Sequence, residues 1–557
     1  MNNPATVSEA IADVIAERAN HVFGLVGNAN SHVVASLTQR GFPYTSLRHE
    51  MGTVAAADAF YRAGGGIAVS TTTCGAGLTN AMTSLAEARV ARIPLVHITG
   101  TAPSAGPRPF DINQDGLIEA LDIPIIQVTA ASAAADATAA FDLAEATRSP
   151  VVLHIPFDLQ AAELVNPPAA SAVAFPTQNA VAESVDQDTI AELADALAGA
   201  TRPLIIIGRG VAEAGLRTEV AEFIDELGAL HMHTAMARNI VGGHWCLGTA
   251  GGFAHKSRLQ FTQDADLVLI LGASFNAYQA RGGKLMSPGT PILHVLDEPH
   301  PASQSASTRV FGDLRDVLPR LRAATVGKLD ANRRTWRDEI VATMGELPPV
   351  EDPELHPELF GEAGSDGRID PRAALRRLDR LLPQDRTVVT DGGHFIGWVP
   401  KYLDSPEPAA QILVGTAIQS IGLGLSSAVG AAAARPDKYT ILVTGDGGGL
   451  MALADLESTV RSLKRGLIIV MNDAAYGAEL HQYAAEGLDT TSMTIADVDF
   501  AALGRAFGAT GITVGKPADW DAAQQTLAQH CDGVCLLDIK ISRTVVADFI
   551  EEILKRQ

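Results

Sequence analysis

Cysteine is scarce in this chain: Cys74, Cys246, Cys531 and Cys535 are the only four among 557 residues. That excludes a disulfide-built scaffold, and the pair in CDGVC has no other Cys/His cluster beside it in sequence to complete a soft-metal site. Reduced, mostly buried thiols in a cytoplasmic protein are the expectation. Long apolar runs are missing as well. No stretch of about 18 apolar residues could span a bilayer, and no basic-then-apolar leader pattern opens the sequence. Positive charge is in deficit. With 42 Lys and Arg against 64 Asp and Glu, the net charge of -22 disfavours nucleic acid and anionic membrane surfaces as partners. Two nucleotide fingerprints are absent too. No G-x-G-x-x-G opens a helix after a strand, and no glycine loop ends in G-K-[ST]; GRGVAEAG, at 208–215, misses the first spacing by two positions. A nucleotide- or flavin-binding oxidoreductase is thereby disfavoured.

What is present is apolar and periodic. Apolar residues make up 47% of the chain, enough for three cores of about 150 residues each. In block 1–165, HVFGLVG, positions 44–47, GIAVSTTT, RIPLVHITG, IPIIQV and SPVVLHIP read as short strands, with alanine-rich helical stretches between several of them. A proline- and alanine-rich connector occupies 166–180. Block 186–328 supplies RPLIIIGRG, HMHTAM, DLVLILG and PILHVLDEP, and an acidic, proline-rich linker covers 346–364. Block 370–557 supplies RTVVTDGG, QILVGT, YTILVTGDGG and RGLIIVMNDAAYG. Strands alternating with helices predict an α/β protein of three domains, each a mostly parallel sheet flanked by helices.

The segment GDGGG, 445–449, follows the strand YTILVT directly, and Leu453, Leu456, Val460 and Leu463 then recur at helical spacing. Asp446 therefore falls at the carboxyl end of a parallel strand, where open α/β sheets bind ligands. Gly447, Gly448 and Gly449 permit close backbone approach to phosphate oxygens near a helix start. The next strand, GLIIVM, ends at Asn472 and Asp473, 27 positions after Asp446. Adjacent strand ends would bring both carboxylates to one divalent cation bridging to a diphosphate, a hard-oxygen set that suits Mg²⁺. D-G-G and N-D are each ordinary turn sequences. Their coincidence at the ends of successive strands is what points to a site.

These segments, together with RHEMGTVAAADAFYR, TTTCGAGLTNAMTSLAEARVARIPLVHITG, TDGGHFIGW and GTAIQSIGLGLSSAVG, resemble the thiamine-diphosphate-dependent enzymes, in particular the acetolactate synthase-like group. The resemblance spans essentially the whole chain. It implies a pyrimidine-binding domain at 1–165, a central Rossmann-like domain at 186–328 and a diphosphate- and Mg²⁺-binding domain at 370–557. Thiamine diphosphate and Mg²⁺ would be the cofactors, with Asp446, Asp473 and the Ala475 carbonyl on the metal. Many relatives carry asparagine at Asp473; the extra charge should strengthen Mg²⁺ binding and slightly disfavour the diphosphate. Glu50 would meet the pyrimidine N1'. Gly27, Thr73, Asn80, Gly393, His394, Gln419, Ile421, Gly445, Gly447, Gly448, Tyr476, Gly477 and Ala478 match cofactor-binding places, Ile421 as the apolar prop beneath the bent cofactor. The resemblance further implies a homodimer or homotetramer with active sites between subunits, acting on a small 2-oxo acid, ketone or aldehyde.

Other positions depart from a true acetolactate synthase. HIPFD puts Phe157 where that enzyme has lysine, and GASFNAYQAR lacks the first arginine and both acids of its flavin segment, which argues against FAD. Asn28 matches a catalytic aspartate of pyruvate decarboxylase, and Glu479 its catalytic glutamate, while Gln114 matches the substrate-side glutamine of the synthases. Asn113 and Gln114 stand where pyruvate decarboxylase has its paired histidines. Carboligation is the first expectation, with decarboxylation or 2-hydroxy ketone cleavage as the alternative.

Overall fold

A computed structural model describes residues 6–165, 184–297, 306–351, 357–530 and 532–554. The 166–180 connector and Cys531 lie outside the described residues, as does part of the 346–364 linker.

The described residues contain three six-stranded sheets, parallel at every pairing. The first contains β1 (Val22–Gly24), β2 (Tyr44–Ser46), β3 (Val69–Thr72), β4 (Leu95–Thr101), β5 (Ile125–Gln127) and β6 (Pro150–Pro156), in the order β2-β1-β3-β4-β6-β5. The second contains β7 (Pro203–Ile207), β8 (Leu230–His233), β9 (Cys246–Thr249), β10 (Leu267–Leu271), β11 (Ile292–Leu296) and β12 (Thr308–Phe311). Its order, β12-β11-β10-β7-β8-β9, is the doubly wound arrangement of a Rossmann sheet. The third contains β13 (Arg386–Thr390), β14 (Gln411–Leu413), β15 (Tyr439–Gly445), β16 (Gly466–Asn472), β17 (Thr510–Val514) and β18 (Val534–Lys540), ordered β14-β13-β15-β16-β18-β17. The two outer sheets thus repeat one strand order although their sequences show no obvious tandem repeat.

Central strands such as LVLIL in β10 and GLIIVMN in β16 are buried on both faces, which is why they read as continuous apolar runs. Four strands went unread in sequence. β9, β12 and β17 are edges, short or interrupted by glycine and polar residues. β18 is central, but its VCLLDIK run follows CDGVC, whose cysteines drew attention to metal chemistry; Cys535 is instead a buried core thiol in that strand.

The outer domains meet along a seam of small residues. The helix Glu50–Arg62 packs against the helix Gly424–Ala434, burying Ala55, Ala56, Ala59, Ala428 and Ala431. A Cβ on Gly430 would collide with the Ala56 carbonyl, and one on Gly52 with the Asp455 carboxylate. Here glycine is required by contact, since neither backbone has positive φ. Gly430→Ala should therefore cost about 1–3 kcal/mol of stability by overpacking. Gly199→Ala, at an exposed helix end with open space around it, should be neutral or slightly stabilising. Equal urea midpoints for the two variants would show that the seam is not tightly packed.

Candidate active site

The carboxyl ends of β15 and β16 lie side by side, with Gly445 registered against Met471. Asp446 opens the helix Asp446–Met451 directly after β15, and Asp473 follows β16. Leu456 and Val460 belong to a second helix, Ala454–Ser462, with Leu453 and Leu463 at its two ends, because the first helix stops at Ala452. Asp446 Oδ2 accepts from the Ala475 amide at 3.1 Å, so the two strand ends are already tied together. Ala474 takes a positive φ between Asp473 and Ala475, and its carbonyl accepts from Arg543 at 2.6 Å.

Both carboxylates are buried. Burial and the neighbouring Asp473 push the Asp446 acid up to about 7, and burial pushes Asp473 up to about 6 despite the nearby Arg543 guanidinium. Among the described residues neither acid has an ion pair, and no third acid, histidine or cysteine joins them, so the adjacent carboxylates form a donor set for a hard cation. The surrounding glycines are set by close approach. A Cβ at Gly447 would strike the Tyr476 ring, one at Gly448 the Asp391 carboxylate, and one at Gly477 the Asp473 carboxylate and His394.

Asp391 escaped the sequence reading although it begins the quoted DGG. It is buried and accepts from the Gly392 amide (2.8 Å), the Gly422 amide (3.0 Å) and Thr444 Oγ1 (2.9 Å), joining three loops of the site. Burial raises its acid above the usual carboxylate range. His394 is buried against His481, with ring centroids 4.7 Å apart, and its Nε2 accepts from the Ala547 amide at 2.9 Å. Burial and the neighbouring His481 lower its pKa to about 3 and hold it neutral. Ile421 lies against Gly392, whose absent Cβ leaves room for it; Gln419 is exposed at positive φ, and Gly393 takes a positive φ of 138° that favours glycine. Tyr476 precedes the helix Gly477–Ala485, whose first turn holds half-buried Ala478 and exposed Glu479.

A second cluster sits at the carboxyl ends of the first sheet. Glu50 opens the helix Glu50–Arg62, and its Oε2 accepts from Asn80 Nδ2 at 3.0 Å. Thr73 Oγ1 donates to exposed Asn28 Oδ1 at 2.9 Å, and Gly27 has no room for a Cβ beside Thr73. Buried Asn30, unread in sequence, fixes this VGNAN loop by accepting from the Gly27 amide and donating to the Leu25 carbonyl and Thr71. Gln114 is buried, with Nε2 donating to the Gly100 carbonyl at 2.9 Å and Oε1 accepting from the Gly75 amide at 2.5 Å. No hydrogen bond or ion pair among the described residues joins this cluster directly to the Asp446 cluster.

Three segments of the chain match one family of known proteins. Residues 5–123 match the description "Thiamine pyrophosphate enzyme, N-terminal TPP binding domain", 190–321 its central domain and 391–539 its C-terminal TPP binding domain. The chain is 28% identical over 542 residues to acetolactate synthase isozyme 2 large subunit of Escherichia coli, covering 94% of this chain and 93% of that one. It is 25% identical to sulfoacetaldehyde acetyltransferase of Castellaniella defragrans, covering 92% and 89%. The fold is shared with the thiamine diphosphate-dependent 4-hydroxybenzoylformate decarboxylase of Rhodococcus jostii RHA1, at TM-score 0.77, 21% identity and coverage of 97% and 99%.

The acid pair generates a signed pH prediction. Raised carboxyl pKa values mean that the folded chain keeps protons the unfolded chain has released, so this pair's stabilising contribution is full below about pH 4 and lost as pH rises through 6 to 7. In metal-free protein, Asp473→Asn should melt higher than the parent at pH 8, with the gap closing at pH 5. Millimolar Mg²⁺ should raise the parent's melting temperature more at pH 8 than at pH 5. A parent and variant with parallel melting curves at both pH values, with and without Mg²⁺, would remove the pair from cation binding.

Proposed function

Because the chain belongs to the thiamine pyrophosphate enzyme family, in its acetolactate synthase-like group, we propose that it joins carbon–carbon bonds from a 2-oxo acid donor, using thiamine diphosphate and Mg²⁺. The observation that carries the cofactor half of this reading is the buried Asp446–Asp473 pair at neighbouring strand ends. These acids and the Ala475 carbonyl would hold the cation. Gly445, Gly447, Gly448, Gly477 and Ala478 would lie along the diphosphate, with Tyr476, Gly393, His394 and Gln419 around it and Ile421 beneath the rings. Bound there, thiamine diphosphate supplies a nucleophilic carbon and an electron sink. Glu50, oriented by Asn80, would exchange a proton or hydrogen bond with the pyrimidine N1', and Gly27 and Thr73 would line the same end.

The two clusters would complete one site across a homodimer. Exposed Val26, Phe110 and Ile112 flank the Glu50 side in sequence, and exposed Ile418 and Met451 flank the Asp446 side, a distribution that suits coverage by a second copy. A flavin is left out of the proposal: Arg281, the arginine that GASFNAYQAR retains, is ion-paired with Glu552, and Tyr278 packs between Phe253 and Phe549.

A decarboxylase outcome is the second reading, and exposed Glu479 is the observation that favours it. A carboxyl group on the first turn beyond the metal loop could deliver the proton that releases an aldehyde. Asn28, exposed beside Thr73, would face substrate from the other half-site.

Product analysis with a panel of 2-oxo acids, with and without an added aldehyde or ketone, separates the two. Acyloin or acetohydroxy acid as the main product supports carboligation, and aldehyde alone overturns it. Glu479→Gln should lower the aldehyde share; an unchanged product ratio and turnover would take Glu479 out of the reaction. Glu50→Gln should keep cofactor binding while losing about 10²-fold or more in turnover. Wild-type turnover in that variant would sink the role of Glu50.

A further inference from the structure

The helix Ala76–Val90 belongs to the first domain, yet its Glu87 is completely buried at the boundary with the third. The carboxylate accepts from the Ala417 amide at 3.0 and 3.2 Å and from the Ile418 amide at 3.0 Å. Arg62 approaches it at 3.5 Å and is itself paired with buried Asp58. Two carboxylates therefore share one guanidinium, and Asp58 already supplies Arg62 with a counter-charge. The surplus charge on Glu87 is answered by backbone amides of another domain, which is how a buried carboxylate is best satisfied away from water.

The amides it holds lie at the tip of a strained loop. Gly415, Gln419 and Gly422 all have positive φ, and Thr416 to Gln419 are solvent-exposed. The loop's ends are fixed within its own domain, by the Ser420 amide on the Gly415 carbonyl and by the Gly422 amide on Asp391. Glu87 reaches the tip from below. Immediately after the gripped amides come Gln419 and Ile421, the two loop residues assigned to the cofactor.

We propose that Glu87 is a positioning residue that sets the 415–421 loop for cofactor binding from the neighbouring domain. This rests on the cofactor reading given above for Gln419 and Ile421. Without the carboxylate, the Ala417 and Ile418 amides lose the acceptor that ties them to the first domain, and the loop tip loses its register. Gln419 and Ile421 then no longer meet the cofactor in fixed positions. A partner of Arg62 alone would have no such effect.

The test uses the full-length protein, first without cofactor and then with thiamine diphosphate and Mg²⁺. Hydrogen exchange of the peptide covering 414–421 reads the grip, and calorimetry reads cofactor affinity. Glu87→Ala should speed exchange at Ala417 and Ile418 by about tenfold or more and weaken cofactor binding by about tenfold. Glu87→Gln, which keeps an acceptor oxygen, should restore most of both. Should the alanine variant fail to fold, Glu87→Met, which removes the acceptor and keeps the volume, takes its place with the same expectation. Asp58→Asn touches the same charge cluster but not the loop, and should leave both readings at the parent's values. Unchanged exchange in Glu87→Ala, or in Glu87→Met standing in for it, overturns the proposal. So does faster exchange with unaltered affinity, or an Asp58→Asn protein that behaves like Glu87→Ala. A parent protein that binds no thiamine diphosphate would overturn the cofactor reading itself, and this inference with it.

Discussion

The close approach of the helices Glu50–Arg62 and Gly424–Ala434 is the constraint on which both half-sites rest. Backbone meets backbone there because alanines and Gly430 leave nothing between them. Around that contact each outer domain lends the other a buried carboxylate. Asp455, from the third domain, accepts from the Arg48 amide at 2.7 Å, two residues before Glu50, and so fixes where the Glu50 helix begins. Glu87 reaches the opposite way, to the loop before Ile421. Neither half-site is therefore built by its own domain alone.

Buried acids in a chain of net charge -22 need an account, and they divide by what satisfies them. Asp391 takes two amides and a hydroxyl, Asp455 an amide and Ser458, and Glu87 two amides and an arginine. In each, protein donors replace lost water and offset part of the cost of burial. Asp446 and Asp473 are different. They crowd one another, and Arg543 spends its donors on the carbonyls of Asp473 and Ala474 instead of on either carboxylate. Leaving a like-charged pair so poorly answered costs stability in the metal-free chain, and a divalent cation is the species that would reverse the cost.

Much of this was legible before any coordinates. Continuous apolar runs marked the central strands because both faces of a parallel sheet are buried. The 27-residue spacing of Asp446 and Asp473 marked neighbouring strand ends because a helical stretch, in the fold two short helices, and one strand fit between them. What stayed hidden falls into two physical classes. Edge strands β9, β12 and β17 carry too few apolar residues to stand out from loops. Asp455, Glu87 and Asn30 are single polar residues whose partners lie far away in sequence or inside a loop, and a lone acid on a helix looks like a solvated one until the fold removes the water. Asp391 was missed for a related reason, since DGG reads as a turn until three loops are seen to converge on its carboxylate.

Gln114 and Glu479 looked equivalent in sequence, one from each half-site and each matched to a substrate-facing place. In the fold they are not. Gln114 is buried with both ends of its amide on backbone, so it sets the turn at Gly75 and the end of β4. Replacing it would move main chain, and any change in products would mix substrate contact with altered loop geometry. Glu479 stands exposed on a helix whose position is already fixed by the tie between Ala475 and Asp446. Its carboxyl group can be removed while the metal loop keeps its shape. The balance between joining a second carbonyl compound and releasing an aldehyde is therefore a question that Glu479 can answer cleanly and Gln114 cannot.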